Sequence, residues 1–433
     1  MKQQPDRSLV PKLRFPEFRD AGEWRLLSLG TVAQFIDSLH ETPKEYVTKG
    51  YPMVRVADIK DSGLDLNSCL KVTEEVYKHF VKRYIPKKGD IIFSRVGSCG
   101  ESILINFDER ICLGQNIVLL KSQENSLFLF FYLKCQLIKR QVDNKVVGSS
   151  HKTLSLKDAQ AFEVYFPCIK EQQKIADCLS SLDDRCASET QKLETLKAHK
   201  KGLIQKLFPA KGETVPKLRF PEFRDAGEWE VAKIGDFVDS YKGGAPLTPS
   251  DFIAHSNCEV IPKKAITEGG WLKLDVKQPT YCKELFYKEN LKSVVDNTYL
   301  ITTLRDLVPS GPSIGYIVKF EGNKNYILAQ GVYGLKLNKS IIREFLIHFS
   351  NTQKYRKIMQ SLMVGSTQVH IRNSVFLNLK INMPSLPEQQ KIADCLSSLD
   401  ELIAAQSQKL ETLKRHKKGL MQQLFPAVEE VRE

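Results

Sequence analysis

No run of apolar residues in this 433-residue chain is long enough to cross a bilayer, and residues 1–10 are too polar for a signal peptide. The expectation is a soluble, cytoplasmic protein. Its ten cysteines stand singly, Cys69, Cys99, Cys112 and Cys135 among them, without one Cys-x-x-Cys pair. That spacing gives no sign of a zinc site and fits reduced thiols that mostly fill cores. The chain also lacks the Gly-x-x-x-x-Gly-Lys-Ser/Thr phosphate loop, His-Glu-x-x-His, and the Asn-Pro-Pro-aromatic run of adenine methyltransferases. Its eight histidines are scattered, and solvated or hydrogen-bonding roles suit them better than general-base work.

What the chain has is repetition. Residues 171–210 and 388–427 are nearly the same sequence, offset by 217 (388 − 171) without insertion or deletion. Apolar residues recur at steps of four and three: Ile175, Leu179, Leu182, Cys186, Leu193, Leu196, Leu203 and Leu207 in the first copy. The second copy has Ile392, Leu396, Leu399, Ile403, Leu410, Leu413, Leu420 and Leu424. This is a heptad seam, interrupted by Glu189 and Lys200 in one copy and by Gln406 and Lys417 in the other. A helix of about 35 residues is about 50 Å long, so each copy reads as a strut whose partner is its own repeat. An ordinary helix buried in a larger core is the competing reading.

A second repeat, residues 10–24, returns unchanged as 215–229. Two prolines hold each arm extended before a helical turn. Phe15, Phe18 and Trp24, or Phe220, Phe223 and Trp229, serve as anchors best explained by core packing. Between arm and strut lie mixed segments that define an α/β (α+β) fold class. Strands are predicted at 52–59, 90–94, 102–105 and 116–120, with a helix over 126–142. The second segment repeats the order, with strands near Val260 and at 299–303, 315–320 and 331–337, and a helix over 340–362. Val-Gly-Ser-Ser/Thr follows at 147–150 and 364–367, again offset by 217. The net charge of +13 gathers in these segments. Residues 1–170 hold 26 Lys and Arg against 20 Asp and Glu, and residues 211–387 hold 24 against 17. The two inserts are thus the parts suited to a polyanion.

One frame therefore presents two dissimilar domains of one layout. The residues that carry a family likeness are Pro-Lys-Leu-Arg-Phe-Pro-Glu-Phe before Trp24 and Trp229, Gly-Asp-Ile-Ile-Phe-Ser-Arg at 89–95, the Gly-Ser-Ser/Thr pairs, and Pro-x-x-x-Glu-Gln-Gln-Lys-Ile-Ala at each strut's start. Over almost its whole length the chain resembles the specificity subunits of type I restriction-modification enzymes. The second insert departs from the pattern, with Asp-Asn-Thr-Tyr-Leu-Ile-Thr at 296–302 in place of the 89–95 run.

The resemblance implies an arm and target recognition domain at 1–168, a helical spacer at 169–210, a second arm and domain at 211–385, and a second spacer with tail at 386–433. Each domain is expected to read half of a split, asymmetric site in double-stranded DNA. The spacers are expected to pair as an antiparallel coiled coil in a circular, pseudo-twofold arrangement, to set the gap between half-sites and to dock two methyltransferase subunits. Restriction subunits complete the expected partners. The chain itself is expected to be non-catalytic and to bind no metal or cofactor, with S-adenosylmethionine, ATP and Mg on the partner subunits. An accessory or decoy DNA-binding adaptor and a protein-only coiled-coil scaffold are the alternatives. Side chains suited to phosphate or base contact give these candidates in the first domain: Ser94, Arg95, Ser98, Lys145, Ser149, Ser150, His151 and Lys152. In the second they are Arg305, Ser310, Ser313, Ser366, Thr367, Gln368, His370 and Arg372. The lysine runs at 197–201 and 414–418 suit a phosphate or a partner, with a solvated helix face as the default.

Overall fold

The computed structural model describes residues 10–60, 63–148 and 152–426. The chain divides into two compact units, Met1–Thr190 with Gln408–Glu433, and Gln191–Ser407. Each combines a mixed domain with a stretch of both long helices.

In the first unit, β1 (Ala33–Asp37), β2 (Ile91–Ser94), β3 (Ser102–Leu104) and β4 (Ile117–Ser122) form an antiparallel sheet in the order β1-β4-β2-β3. Ile-Ile-Phe-Ser takes the inner position because a run without polar alternation suits a strand covered on both faces, and all four residues are buried. Ile91, Phe93, Val118 and Leu120 pack toward Phe128 and Tyr132. Ile92, Ile117 and Leu119 pack toward Val54, Ile103 and Ile111.

The second unit repeats this plan with β5 (Val238–Gly243), β6 (Tyr299–Thr303), β7 (Arg305–Asp306), β8 (Ile317–Val318), β9 (Val332–Leu337) and β10 (Val369–His370). Its sheet runs β5-β9-β6-β8, and β7 pairs separately with β10. The register corrects the sequence match between the inserts. Ser94 opposes Ile117 as Thr303 opposes Val332, so residues 298–304, not 296–302, stand where 89–95 stands.

Each long helix predicted inside a domain is two shorter ones. The first unit has α1 (Ser126–Leu133) and α2 (Gln136–Lys145), and the second has α3 (Arg343–Ser350) and α4 (Gln353–Leu362). Cys135 and Thr352 are extended between them, and the Thr352 hydroxyl accepts from the Tyr355 amide at 3.2 Å to restart the helix.

The first long helix (Ile169–Leu207) and the second (Leu386–Leu424) each span 39 residues. Within the first unit, Lys417 meets Asp183, and Lys409 meets Glu189 at 2.8 Å. Numbers rise along one helix as they fall along the other, so the two stretches are antiparallel. Within the second unit Lys200 meets Asp400. Along the seam Ile175, Leu179, Leu193, Leu207, Ile392, Leu396, Leu410 and Leu424 are buried. Leu182, Leu196, Leu203, Leu399, Ile403, Leu413 and Leu420 are half-buried. Lys200 and Lys417, members of the two lysine runs, are thus spent between helices.

The arms are held by their arginines. Arg14 donates to both carboxylate oxygens of Glu171, at 2.7 and 2.6 Å, and to the Gly22 carbonyl at 2.6 Å. Arg219 does the same to Glu388, at 2.8 and 2.8 Å, and to Gly227 at 2.6 Å. Both carboxylates are buried, in the first turn of a long helix, where the helix dipole favours a negative charge. The Leu13 amide donates to the Gln423 carbonyl at 2.9 Å, as Leu218 does to Lys206. Phe425 enters the first core 5.7 Å from Phe128, and Phe208 enters the second 5.2 Å from Phe345. Each arm thus joins the start of one long helix to the end of the other. Arg219→Met is expected to cost about 3–5 kcal/mol, because it strands Glu388 as an unpaired buried charge. Replacing both partners by Met is expected to recover most of that loss, read by urea unfolding of the single and double variants.

One buried difference between the units bears on pH. Phe131 lies in the first core under the Lys417 ammonium, 5.1 Å from its ring centre. At the matching place in α3 stands His348, buried, with Nε2 3.2 Å from the Ser397 hydroxyl. Burial, reinforced by Lys200 and Lys319, pushes its imidazole down to about 3, although Asp400 lies 3.9 Å from Nδ1. The folded chain keeps this histidine neutral while the unfolded chain protonates it below about 6.5. Its contribution is therefore complete above that pH and is lost as pH falls toward about 3. Between pH 6.5 and 5 the loss is up to about 2 kcal/mol. His348→Phe is expected to flatten this acid limb, measured as Tm against pH.

Candidate nucleic-acid interface

In the first unit the turn after β2 is stitched to the segment after α2. Gly97 donates to the Lys152 carbonyl at 2.8 Å, Leu154 donates to Arg95 at 2.8 Å, and Thr153 bridges both Val96 and Val147. Two candidates there are turned inward. Ser94 is fully buried, and its hydroxyl donates to the Ser98 carbonyl and accepts from the Glu101 amide at 3.1 Å, closing the turn. Arg95 is buried too, with its guanidinium on both Asp37 oxygens at 3.0 and 3.1 Å. Ser98, Lys145 and Lys152 are exposed. Ser149, Ser150 and His151 lie outside the described residues.

In the second unit the candidates meet on the β7–β10 ribbon. Arg305 stands opposite His370 and Asp306 opposite Val369, while Val364 and His370 exchange two backbone bonds of 3.0 Å. Between β7 and β8 the chain turns around the Asp306 carboxylate. That group accepts from the Leu307 amide at 2.7 Å, the Val308 amide at 3.3 Å, the Ser313 amide at 3.1 Å and the Ser313 hydroxyl at 2.5 Å. Burial alone would raise its pKa, but these bonds outweigh it and hold the carboxyl below its ordinary range. Gly311 has φ +52°, and a Cβ there would meet Met363 Sδ at 2.2 Å. From behind, Arg356 donates to the carbonyls of Ile314 at 2.6 Å and Pro312 at 3.2 Å.

Ser313 is thus committed inside the turn, while Ser310, Ser366, Thr367, Gln368 and Arg372 are exposed and Arg305 and His370 are half-buried. Residues 311–315 spell Gly-x-Ser-x-Gly, but a nucleophile elbow joins a strand to a helix. Here the serine lies between two strands and bonds a carboxylate. The sequence reading missed Lys263, Asp306 and Arg356. Lys263 and Arg305 flank Gly331, where an added Cβ would lie 3.0 Å from Lys263 Cε and 2.9 Å from Arg305 Cβ. Burial, then Arg305, pushes the Lys263 ammonium below its ordinary value. The signal available for Asp306 was its place before Pro309, Ser310 and Gly311, a set of turn formers.

The family model for the type I restriction modification DNA specificity domain matches residues 22–198 and again 226–415. The specificity subunit of the type I restriction enzyme MjaVIII, from Methanocaldococcus jannaschii, is 24% identical over 423 residues, 95% of this chain and 93% of that one. A putative MjaX specificity subunit from the same organism is 25% identical over 419 residues, 93% of each. The fold is shared with the S subunit of a type I restriction-modification system from M. genitalium, at a TM-score of 0.59 and 16% identity over 97% of this chain and 100% of that one. The chain therefore belongs to the type I restriction-modification DNA specificity family, as the subunit that gives such an enzyme its DNA sequence specificity.

Proposed function

We propose that residues 1–168 and 211–385 are the two target recognition domains, each reading one half of a split, asymmetric site in double-stranded DNA. The reader of the second is the β7–β10 ribbon with Ser310, Ser366, Thr367, Gln368 and Arg372 around it. That of the first is the surface bearing Ser98, Lys145 and Lys152. One observation carries this reading: Lys263 and Arg305 lie side by side, half-buried, at the foot of the ribbon. Two like charges held together raise each other's free energy, and a phosphate between them relieves it.

The helical spacers 169–210 and 386–433 set the gap between half-sites and dock two methyltransferase subunits, to which restriction subunits add. Chemistry resides on those partners, with S-adenosylmethionine, ATP and Mg, and the complex works in the cytoplasm on the genome. A protein-only scaffold leaves the ribbon's cations without a partner. A decoy adaptor is separated by whether the chain directs methylation.

Lys263→Ala combined with Arg305→Ala is expected to lower the slope of log affinity against log salt by about 1, for the one phosphate between them no longer neutralised. Titrations of duplex DNA at several salt concentrations read this in the complex with methyltransferase subunits, and an unchanged slope removes the two residues from the interface. Exchanging residues 25–168 for another such domain is expected to change one half of the methylated site and leave the other intact. Genome-wide methylation mapping checks it, and a change in both halves or neither refutes the division of labour.

A further inference from the structure

We propose that the turn Leu307-Val308, together with Val364, which pairs with His370 of β10, is a specificity-determining apolar reader that receives the 5-methyl group of a thymine in the major groove. This rests on the DNA-reading role of the ribbon argued above.

Leu307 is 62% exposed, Val308 45% and Val364 49%. Exposed side chains of this kind lose hydrophobic free energy unless something covers them. They are not stray residues of a loose loop. Asp306 fixes the amides of Leu307 and Val308, Gly311 is fitted against Met363, and Arg356 holds the carbonyls of Pro312 and Ile314. The tip is therefore presented in one conformation, so little ordering cost attends its docking.

Its surroundings name the occupant. Arg305 and Lys263 stand at the foot of the turn, and His370 and Arg372 on the paired strand and just beyond it. A tip made for an apolar protein groove has no use for such a cationic border, whereas duplex DNA meets both features at once. The major groove admits a two-stranded ribbon, its rims are phosphate, and the one apolar group its base edges offer is the thymine methyl. The first domain leaves Val147, 217 positions before Val364, 75% exposed beside its own turn. Two domains of otherwise different sequence thus keep an uncovered valine at one place.

The test uses the assembled complex with its methyltransferase subunits and duplexes carrying the mapped site. The second half-site is the one unchanged when residues 25–168 are exchanged. Each thymine in it is replaced in turn by deoxyuridine, which removes the methyl group and nothing else. One replacement is expected to weaken binding by about fourfold, the worth of one buried methyl group. Leu307→Ser with Val308→Ser is expected to bind the thymine and uracil duplexes equally, with Tm unchanged. If no thymine responds in the unaltered protein, if that half-site holds no thymine, or if the double variant keeps the preference, the proposal falls. The scan on the unaltered protein decides even where the double variant does not fold. Failure of the broader reading looks different: the complex would then not prefer its mapped site over unrelated DNA.

Discussion

A buried arginine–glutamate pair closes each unit, and the position of everything else in that unit follows from it. Glu171 and Glu388 sit in the first turn of a 39-residue helix, out of reach of water. A carboxylate there is tolerable only with a partner that satisfies both oxygens, and the planar guanidinium does so in a way a lysine does not. Arg14 and Arg219 also bond the Gly22 and Gly227 carbonyls, so the pair fixes the arm's turn as well as the helix start. With Leu13 and Leu218 bonded to the far end of the other long helix, the arm becomes the joint at which domain and helices are registered. The neighbouring glutamine completes the joint. Gln172 and Gln389 donate to the prolines that precede the helices and accept from the Asn125 and Ile342 amides, tying each helix start to its domain.

This explains why the frame is duplicated almost letter for letter while the inserts are not. A frame residue answers to several elements at once: Phe208 must fit Trp229, Phe345 and Phe349, so no substitution there is local. Inside the inserts the obligation is only to keep the strand order. The turn after the inner strand is built in one domain over a buried Arg95 on Asp37, and in the other around Asp306 with Arg356 behind it. The strand is retained and the turn rebuilt, so one frame carries two differently built turns.

The long helices, their seam and its polar interruptions were legible in the sequence because a heptad is a local pattern, here written twice. The inner strands were legible for the same reason. The helix break at Cys135 was not, since apolar residues continue through it, and the one at Thr352 was passed over although Ser350-Asn351-Thr352 are residues that favour turns and caps. The clamps escaped because Arg14 and Glu171 are separated by 157 positions, and each alone looks like a surface charge. Ser94 and Arg95 looked suited to DNA for their chemistry. Both are buried and bonded inside the turn, and burial of a polar side chain depends on a partner such as Asp37 that no local pattern announces.

Discrimination between bases requires that the reader hold its shape, because a loop that reshapes itself accepts the wrong base at small cost. On the proposed reading, the second domain meets this requirement with internal bonds: the Asp306 carboxylate takes four donors, and Arg356 fixes two carbonyls that a loose turn would leave to water. Long cations such as Lys263 and Arg305 carry the opposite property, reach without rigidity, and suit phosphates whose positions vary little with sequence. The stiff turn and the adaptable rim are thus separate devices within one ribbon. The bonds that hold the tip engage its backbone, whereas the side chains of Leu307, Val308 and Ser310 stand exposed, so their identity is free to change while the unit beneath keeps its form. The proposed readers thus place sequence preference where substitution is structurally cheap, and affinity and placement where it is not.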